Sequence, residues 1–301
     1  MKILITGGSG FIGTSLIKEL HAAGHEVIIT TRQEASNVRA EHAVPLQWTP
    51  PDLIPSDIIS TIDAVINLAG EPIAPKRWSE ERKKRILSSR IDTTRALVES
   101  IELSYKKPKV LISASAIGYY GPRNDEFVNE DAEPSSDYLA GVCLKWEAEA
   151  QKAEALGLRV VRVRIGGVLG KGGGLLAQME GPFNAFAGGP LGSGKQWFSW
   201  IHLDDLVGIF KYALENDAVS GPVNGTAPNP VTNRQFSKAL GRALHRPAVV
   251  TVPAFAVKLA LGELGGLLLT GQRVMPEKAL EAGYKFKYTN IDEALKDIFK
   301  K

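Results

Sequence analysis

The chain has 301 residues, 44% of them apolar and 23% charged, with 30 glycines, the make-up of an ordinary globular protein with enough length for a sizeable core in one large or two modest domains. Its formal charge of +3 comes without a Lys/Arg block. The nearest run, "EERKKR" at 80–85, is mixed in sign and reads as a solvated helix face, so no nucleic-acid partner is expected. A single cysteine, Cys143, excludes an intramolecular disulfide and a cysteine-built zinc site, and makes a reducing cytoplasm the expected compartment.

The chain opens directly on "KILITGG", with no charged leader ahead of it, so no export signal is expected. The first half then alternates short apolar runs with helical patterns. "KILIT" (2–6) is followed by a helix over about 11–23, then "EVIIT" (26–30), "AVINLAG" (64–70), a long amphipathic helix around 79–105, and "KVLISAS" (109–115). A helix over about 137–156 leads into "RVVRVRI" (159–165). Continuous Val/Ile-rich runs of this length are strands buried on both faces, and their alternation with helices predicts an α/β fold with a parallel, doubly wound sheet of Rossmann type. After 166 the texture changes to Gly-rich loops with aromatics, the material of a smaller, partly helical substrate lobe. Thr232 is the expected N-cap of a helix within 230–244. The apolar stretch 253–271 is broken by Lys258 and Glu263 and is expected to be a packed helix pair rather than a membrane span. The expected division is 1–165 for dinucleotide binding, 166–248 contributing to both core and lobe, and 249–301 as a helical tail of the lobe.

The strongest signal is the strand–turn–helix at the front. Gly7, Gly10 and Gly13 have the spacing G-x-x-G-x-x-G. The first permits a tight turn, the second lets backbone approach a pyrophosphate, and the third allows close helix–strand packing. The helix beginning at Phe11 and Ile12 would offer free N–H groups and a positive dipole to the phosphates. The end of the second strand bears on which dinucleotide. Thr31 and Arg32 stand where an NAD-preferring site has a carboxylate for the adenosine 2′-hydroxyl, and none occurs before Glu34. An arginine there clasps a 2′-phosphate, which favours NADP(H) over NAD(H).

"TGGSGFIG" resembles the fingerprint of the extended short-chain dehydrogenase/reductases, the group that includes nucleotide-sugar epimerases and dehydratases. "VINLAG" (65–70), "SASAIGYYG" (113–121), "RIGGVLG" (164–170) and "FSWIHLDDLV" (198–207) are similar to later landmarks of that family, in order. The "RW" after "NLAGEPI", the "WE" of the central helix and "APNPVTNRQFSKALGRALHRP" resemble an atypical subgroup, the epimerase family proteins, which carry a C-terminal segment of unknown function, here about 249–297. The resemblance implies that Leu68, Ala69, Gly70, Ser113 and Gly166 line the cofactor site.

In the wider family, a tyrosine at the start of the central helix moves the proton. A lysine four residues on, sharing its helix face, lowers the tyrosine pKa and binds the nicotinamide ribose. Alignment on the family's following glutamate allows two registers: Glu147 puts Leu139 and Cys143 in the two positions, whereas Glu149 puts Gly141 and Lys145 there. Neither supplies the pair. The remaining candidates for chemistry are Ser115, at the family's serine position, with Tyr119 and Tyr138. Arg77, Trp78, Trp197 and His202 are the candidates for substrate contact. No metal site is expected, and the chain is expected to work as a monomer or homodimer on an unidentified small molecule, away from membranes. Two readings stand side by side: an oxidoreductase or epimerase-like enzyme without the usual pair, and a non-catalytic NADP(H)-binding sensor or scaffold.

Overall fold

The computed structural model describes residues 1–38, 40–74 and 77–300. Seven strands form its main sheet: β1 (Lys2–Thr6), β2 (Glu26–Thr31), β3 (Val44–Gln47), β4 (Ala64–Asn67), β5 (Val110–Ala116), β6 (Arg159–Ile165) and β7 (Gly221–Gly225). Their spatial order is β7-β6-β5-β4-β1-β2-β3, and every neighbouring pair is parallel. The chain therefore winds outward from β1 through β2 to β3, returns to β4, and winds the other way. Between the carboxyl ends of β1 and β4 lies the switch point where ligands enter such sheets.

Alternation along each strand feeds two cores. Ile3 and Ile5 face Leu16 and Leu20 of α1 (Phe11–Ala22), while Leu4 faces Leu97 and Ile101 of α2 (Glu80–Glu102). The central helix α3 (Tyr138–Gln151) starts on Asp137, whose carboxylate accepts the Ala140 N–H. Beyond β6 come α4 (Leu176–Asn184), α5 (Leu203–Glu215), α6 (Asn233–Leu244), α7 (Ala254–Leu261), α8 (Glu263–Leu268) and α9 (Ile291–Ile298). Thr232 caps α6 in a reciprocal capping box with Gln235, as its sequence predicts. The apolar stretch forms the helix pair α7–α8, and no helix among the described residues is long and apolar enough to cross a membrane.

The tail packs on the body. Ile291, Leu295 and Ile298 share a third core with Trp200, Phe236 and Leu240, and the buried Asp205 carboxylate accepts the backbone N–H groups of Lys287 and Tyr288. Strands β3 and β7 are not anticipated by the sequence patterns. One expectation needs correction: the 80–85 run is not wholly a solvated face. Arg82 is buried, donates to the Pro72 carbonyl at 2.8 Å, and so ties the loop after β4 to α2; Lys83 bonds Glu263 of α8. Mixed charge hides this, because the partners are distant in sequence.

Candidate functional site: a nucleotide cleft beside a buried charge network

At the end of β1, Gly7 has φ of +70° and a Cβ there would lie 2.8–2.9 Å from the backbone of Leu68 and Ala69. Both the backbone conformation and the close approach of the β4 loop require glycine. A Cβ on Gly13 would stand 2.6 Å from the Gly7 carbonyl oxygen, so the helix can pack on the turn only without a side chain. Gly10 closes that turn by donating its N–H to the Gly7 carbonyl. No side chain caps α1 and its first turn holds no acid, which leaves its leading N–H groups and positive dipole end for an anion. Beneath the turn, Thr6 donates to Asn67 at 2.6 Å, and Asn67 donates onward to Thr94 and Ser113. Ser113 therefore braces the sheet under the site.

From this turn a cleft of about 680 Å³ runs outward, with Gly7, Gly10, Thr31 and Arg32 on one wall and Leu68, Ala69 and Gly70 on the other. Arg32 is exposed, while Glu34, the first carboxylate after β2, is turned to Asn37. Phe11 and Ile12 begin α1, but the Phe11 ring packs on Gly170, Gly173 and Gly174, and Ile12 packs against the sheet core. Gly166 lies where a Cβ would stand 2.7 Å from the Ser199 carbonyl oxygen, a close approach between β6 and the lobe. Sequence reasoning missed Trp48 and Thr49, which follow β3, and Ser88, Ser89, Asp92 and Thr93 on α2; all line the cleft. The helical period of 88, 89, 92 and 93 was the available signal.

The end of β5 is built differently. Ser115 is buried and donates its hydroxyl to Glu147 Oε1 at 2.7 Å. Glu147 holds Arg164 of β6 by two bonds, Nε to Oε1 at 2.9 Å and Nη2 to Oε2 at 3.0 Å. Arg164 then donates through Nη1 to the Tyr120 hydroxyl and the Glu130 carbonyl, and its guanidinium lies 3.5 Å from the centre of the Tyr119 ring. Burial pushes the Tyr120 phenol up to about 12. Ser115 and Tyr119 thus meet in one buried network. Tyr138 stands outside it: its hydroxyl donates to the Lys83 carbonyl at 2.7 Å, its ring meets Trp78 edge-on, and burial pushes its phenol up.

The structure selects the first register of α3. Glu147 reaches Ser115, Cys143 lies with Sγ 3.6 Å from the Ala116 carbonyl, and Leu139 touches Gly118. Glu149, also buried, pairs instead with the exposed side chains of Arg95 and Lys152. In that register Leu139 and Cys143 stand at the two positions, an aliphatic group and a thiol that burial pushes up to about 11.

The substrate candidates do not converge on one point. Arg77 is exposed on the loop after β4 and lies against Gly262, between α7 and α8; Trp78 donates to the Ile73 carbonyl. Trp197 donates to Asp125 and stacks with Phe127 around the Arg273 guanidinium. His202 caps α5 by accepting the Asp204 N–H on Nδ1 and lies against Tyr288. Burial pushes its imidazole down. Among the described residues no cluster of His, Cys, Asp and Glu is placed to hold a metal ion.

Residues 3–224 match the NAD dependent epimerase/dehydratase family, and residues 252–298 match a domain of unknown function, DUF1731. The chain is 45% identical to the epimerase family protein SDR39U1 homolog, chloroplastic, of Arabidopsis thaliana, over 99% of this chain and 86% of that one. It is 42% identical to the epimerase family protein YfhF of Bacillus subtilis (strain 168), over 99% and 98%. Among solved structures, human epimerase family protein SDR39U1 with NADPH superposes with a TM-score of 0.87 at 36% identity, over 100% of this chain and 99% of that chain. UDP-glucuronic acid 4-epimerase from Bacillus cereus with NAD has a TM-score of 0.79 at 18% identity, over 99% and 96%, a likeness of fold alone. With the glycine turn, the switch-point cleft and the match along its length together, the chain belongs to the NAD dependent epimerase/dehydratase family.

Proposed function

We propose that this NAD(P)-binding, epimerase-like protein is an NADP(H)-dependent oxidoreductase or epimerase acting on a small molecule without a Tyr-x-x-x-Lys pair. The observation that carries the preference for the phosphorylated cofactor is the corner after β2, where Arg32 is exposed at the cleft and no carboxylate follows before Glu34. A guanidinium there favours a 2′-phosphate; a carboxylate would repel it. That the SDR39U1 relative was crystallised with NADPH supports the same choice. Residues 1–165 would hold the dinucleotide, 166–248 would complete the sheet and begin the lobe, and 249–301 would close it. The single cysteine and this cofactor suit a cytoplasmic protein.

Gly7, Gly10 and the start of α1 would seat the pyrophosphate, and Thr31 and Arg32 the adenosine end. Ser115, Tyr119 and Tyr138 are the proposed reaction-side residues, with Arg77, Trp78, Trp197 and His202 on the substrate side. Bound, the nicotinamide would supply hydride transfer. A second reading, a non-catalytic NADP(H) sensor, is favoured by one observation: the Ser115 hydroxyl proton is already given to Glu147. Titration of the protein with NADPH and NADH, followed by nicotinamide fluorescence, tests the cofactor choice; equal affinity for the two would overturn it. Turnover of bound NADPH across a panel of carbonyl and sugar-nucleotide compounds separates enzyme from sensor.

A further inference from the structure

One half-buried cation beside the cleft has no ion-pair partner among the described residues. Arg90, on α2, is half-buried with its guanidinium 5.0 Å from the centre of the Trp146 ring on α3. Its Nη1 donates to the backbone carbonyls of Glu71 at 3.1 Å and Ile86 at 2.9 Å. The Glu71 carboxylate turns to Arg82 instead. Nε and Nη2 make no hydrogen bond among the described residues, and this edge lies against Gly70, where a Cβ would stand 3.0 Å from Cζ. Gly70 lines the cleft. Facing the guanidinium from α3 are Cys143 and Tyr138, and Glu71 faces it from the β4 loop.

Burying an uncompensated guanidinium costs free energy, and burial does push Arg90 down from its ordinary range. Stacking on Trp146 and two carbonyl bonds offset part of that cost. Two donors remain, side by side, in the bidentate edge that suits paired acceptor oxygens. Their place is against Gly70, which lines the nucleotide cleft, and near Cys143, which offers no charge.

We propose that Arg90 is the ligand-binding cation of the inner half of the site, its Nε–Nη2 edge taking a pair of ligand oxygens. This rests on the NADP(H) reading above. The oxygens come either from the hydroxyls of the dinucleotide's second ribose or from a carboxylate on the substrate, and the experiment separates these sources.

Wild-type protein, Arg90→Gln and Arg90→Lys are titrated with NADPH and with 2′,5′-ADP, which carries only the adenosine end. Oxalate is then titrated into the NADPH-loaded proteins, read by nicotinamide fluorescence. If the ribose is the source, Arg90→Gln weakens NADPH by about tenfold or more, leaves 2′,5′-ADP within about twofold, and Arg90→Lys recovers part of the loss. If the substrate is the source, NADPH binding holds and the oxalate response disappears. Gly70→Ala keeps the charge but crowds the guanidinium, and it should reproduce whichever loss Arg90→Gln shows. Wild-type behaviour of Arg90→Gln with all three probes overturns the assignment, as does equal weakening of both nucleotides, which marks a purely structural arginine. Wild-type protein that binds neither nucleotide overturns the cofactor reading itself, and the Arg90 assignment with it.

Discussion

At the carboxyl end of β1 the site is made of backbone: a glycine turn, uncapped helix N–H groups, and a loop from β4 approaching within a distance no side chain allows. At the carboxyl end of β5 it is made of side chains: Ser115, Glu147, Arg164 and Tyr120 bonded in series, all buried. The first region offers free backbone N–H groups, which suit an anion such as phosphate. The second is fixed by charge and packing, and a buried pair such as Glu147–Arg164 is costly to alter one partner at a time. A backbone-built turn and a side-chain network therefore answer to different constraints within one fold.

The sharpest way to break this contrast is Glu147→Gln, which leaves Arg164 charged and buried. It should cost about 3–5 kcal/mol of stability in denaturant unfolding, while folded protein keeps its nucleotide affinity; unchanged stability would mean the network is not holding β5, β6 and α3 together. Gly13→Val places a branched side chain on the Gly7 carbonyl and should lower nucleotide affinity by at least about 100-fold, roughly 2.7 kcal/mol, as measured calorimetrically. Retained affinity would remove the glycine turn from the site.

Arg32→Ala sharpens the contrast at its outer edge. NADPH affinity should fall about tenfold and NADH affinity by less than about twofold, the size expected for one charge-assisted contact. Tyr138→Phe removes the bond to the Lys83 carbonyl and should cost about 1 kcal/mol. Turnover that falls no further than stability does would remove Tyr138 from the proposed reaction side.

The smallest effect is a pH dependence. Burial lowers the folded pKa of His202, so the unfolded chain binds the proton first and stability is lost as pH falls below the unfolded value of about 6.5. His202→Asn retains an N-cap acceptor for α5 and should flatten the melting temperature between pH 7.5 and 5.5, measured by calorimetry. An unchanged slope would assign it to other groups.

Much of the architecture was legible along the chain because its rules are local. Val/Ile runs mark buried strands, a period of 3.6 marks α1, α2 and α3, and Thr232 with Gln235 spells out a capping box. Strands β3 and β7 escaped: "VPLQ" and "GPVNG" carry little apolar pattern, and each lies at an edge of the sheet. The glycine turn, Thr31 and Arg32 were legible for the same local reason.

The buried charge network at the end of β5 was not. Whether Glu147 or Glu149 faces the sheet depends on how α3 packs against β5 and β6, and two glutamates two residues apart look alike in sequence. Nothing along the chain marks out Arg90, which the fold puts against Trp146 and Gly70, and the expected solvated face at 80–85 fails at Arg82, which bonds the β4 loop. Sequence by itself determined the doubly wound sheet and its glycine turn, since backbone geometry and hydrophobic period are written in neighbouring residues. Only the tertiary structure decided which charges are buried, paired or left free, since their partners lie up to scores of residues away and desolvation depends on everything packed around them.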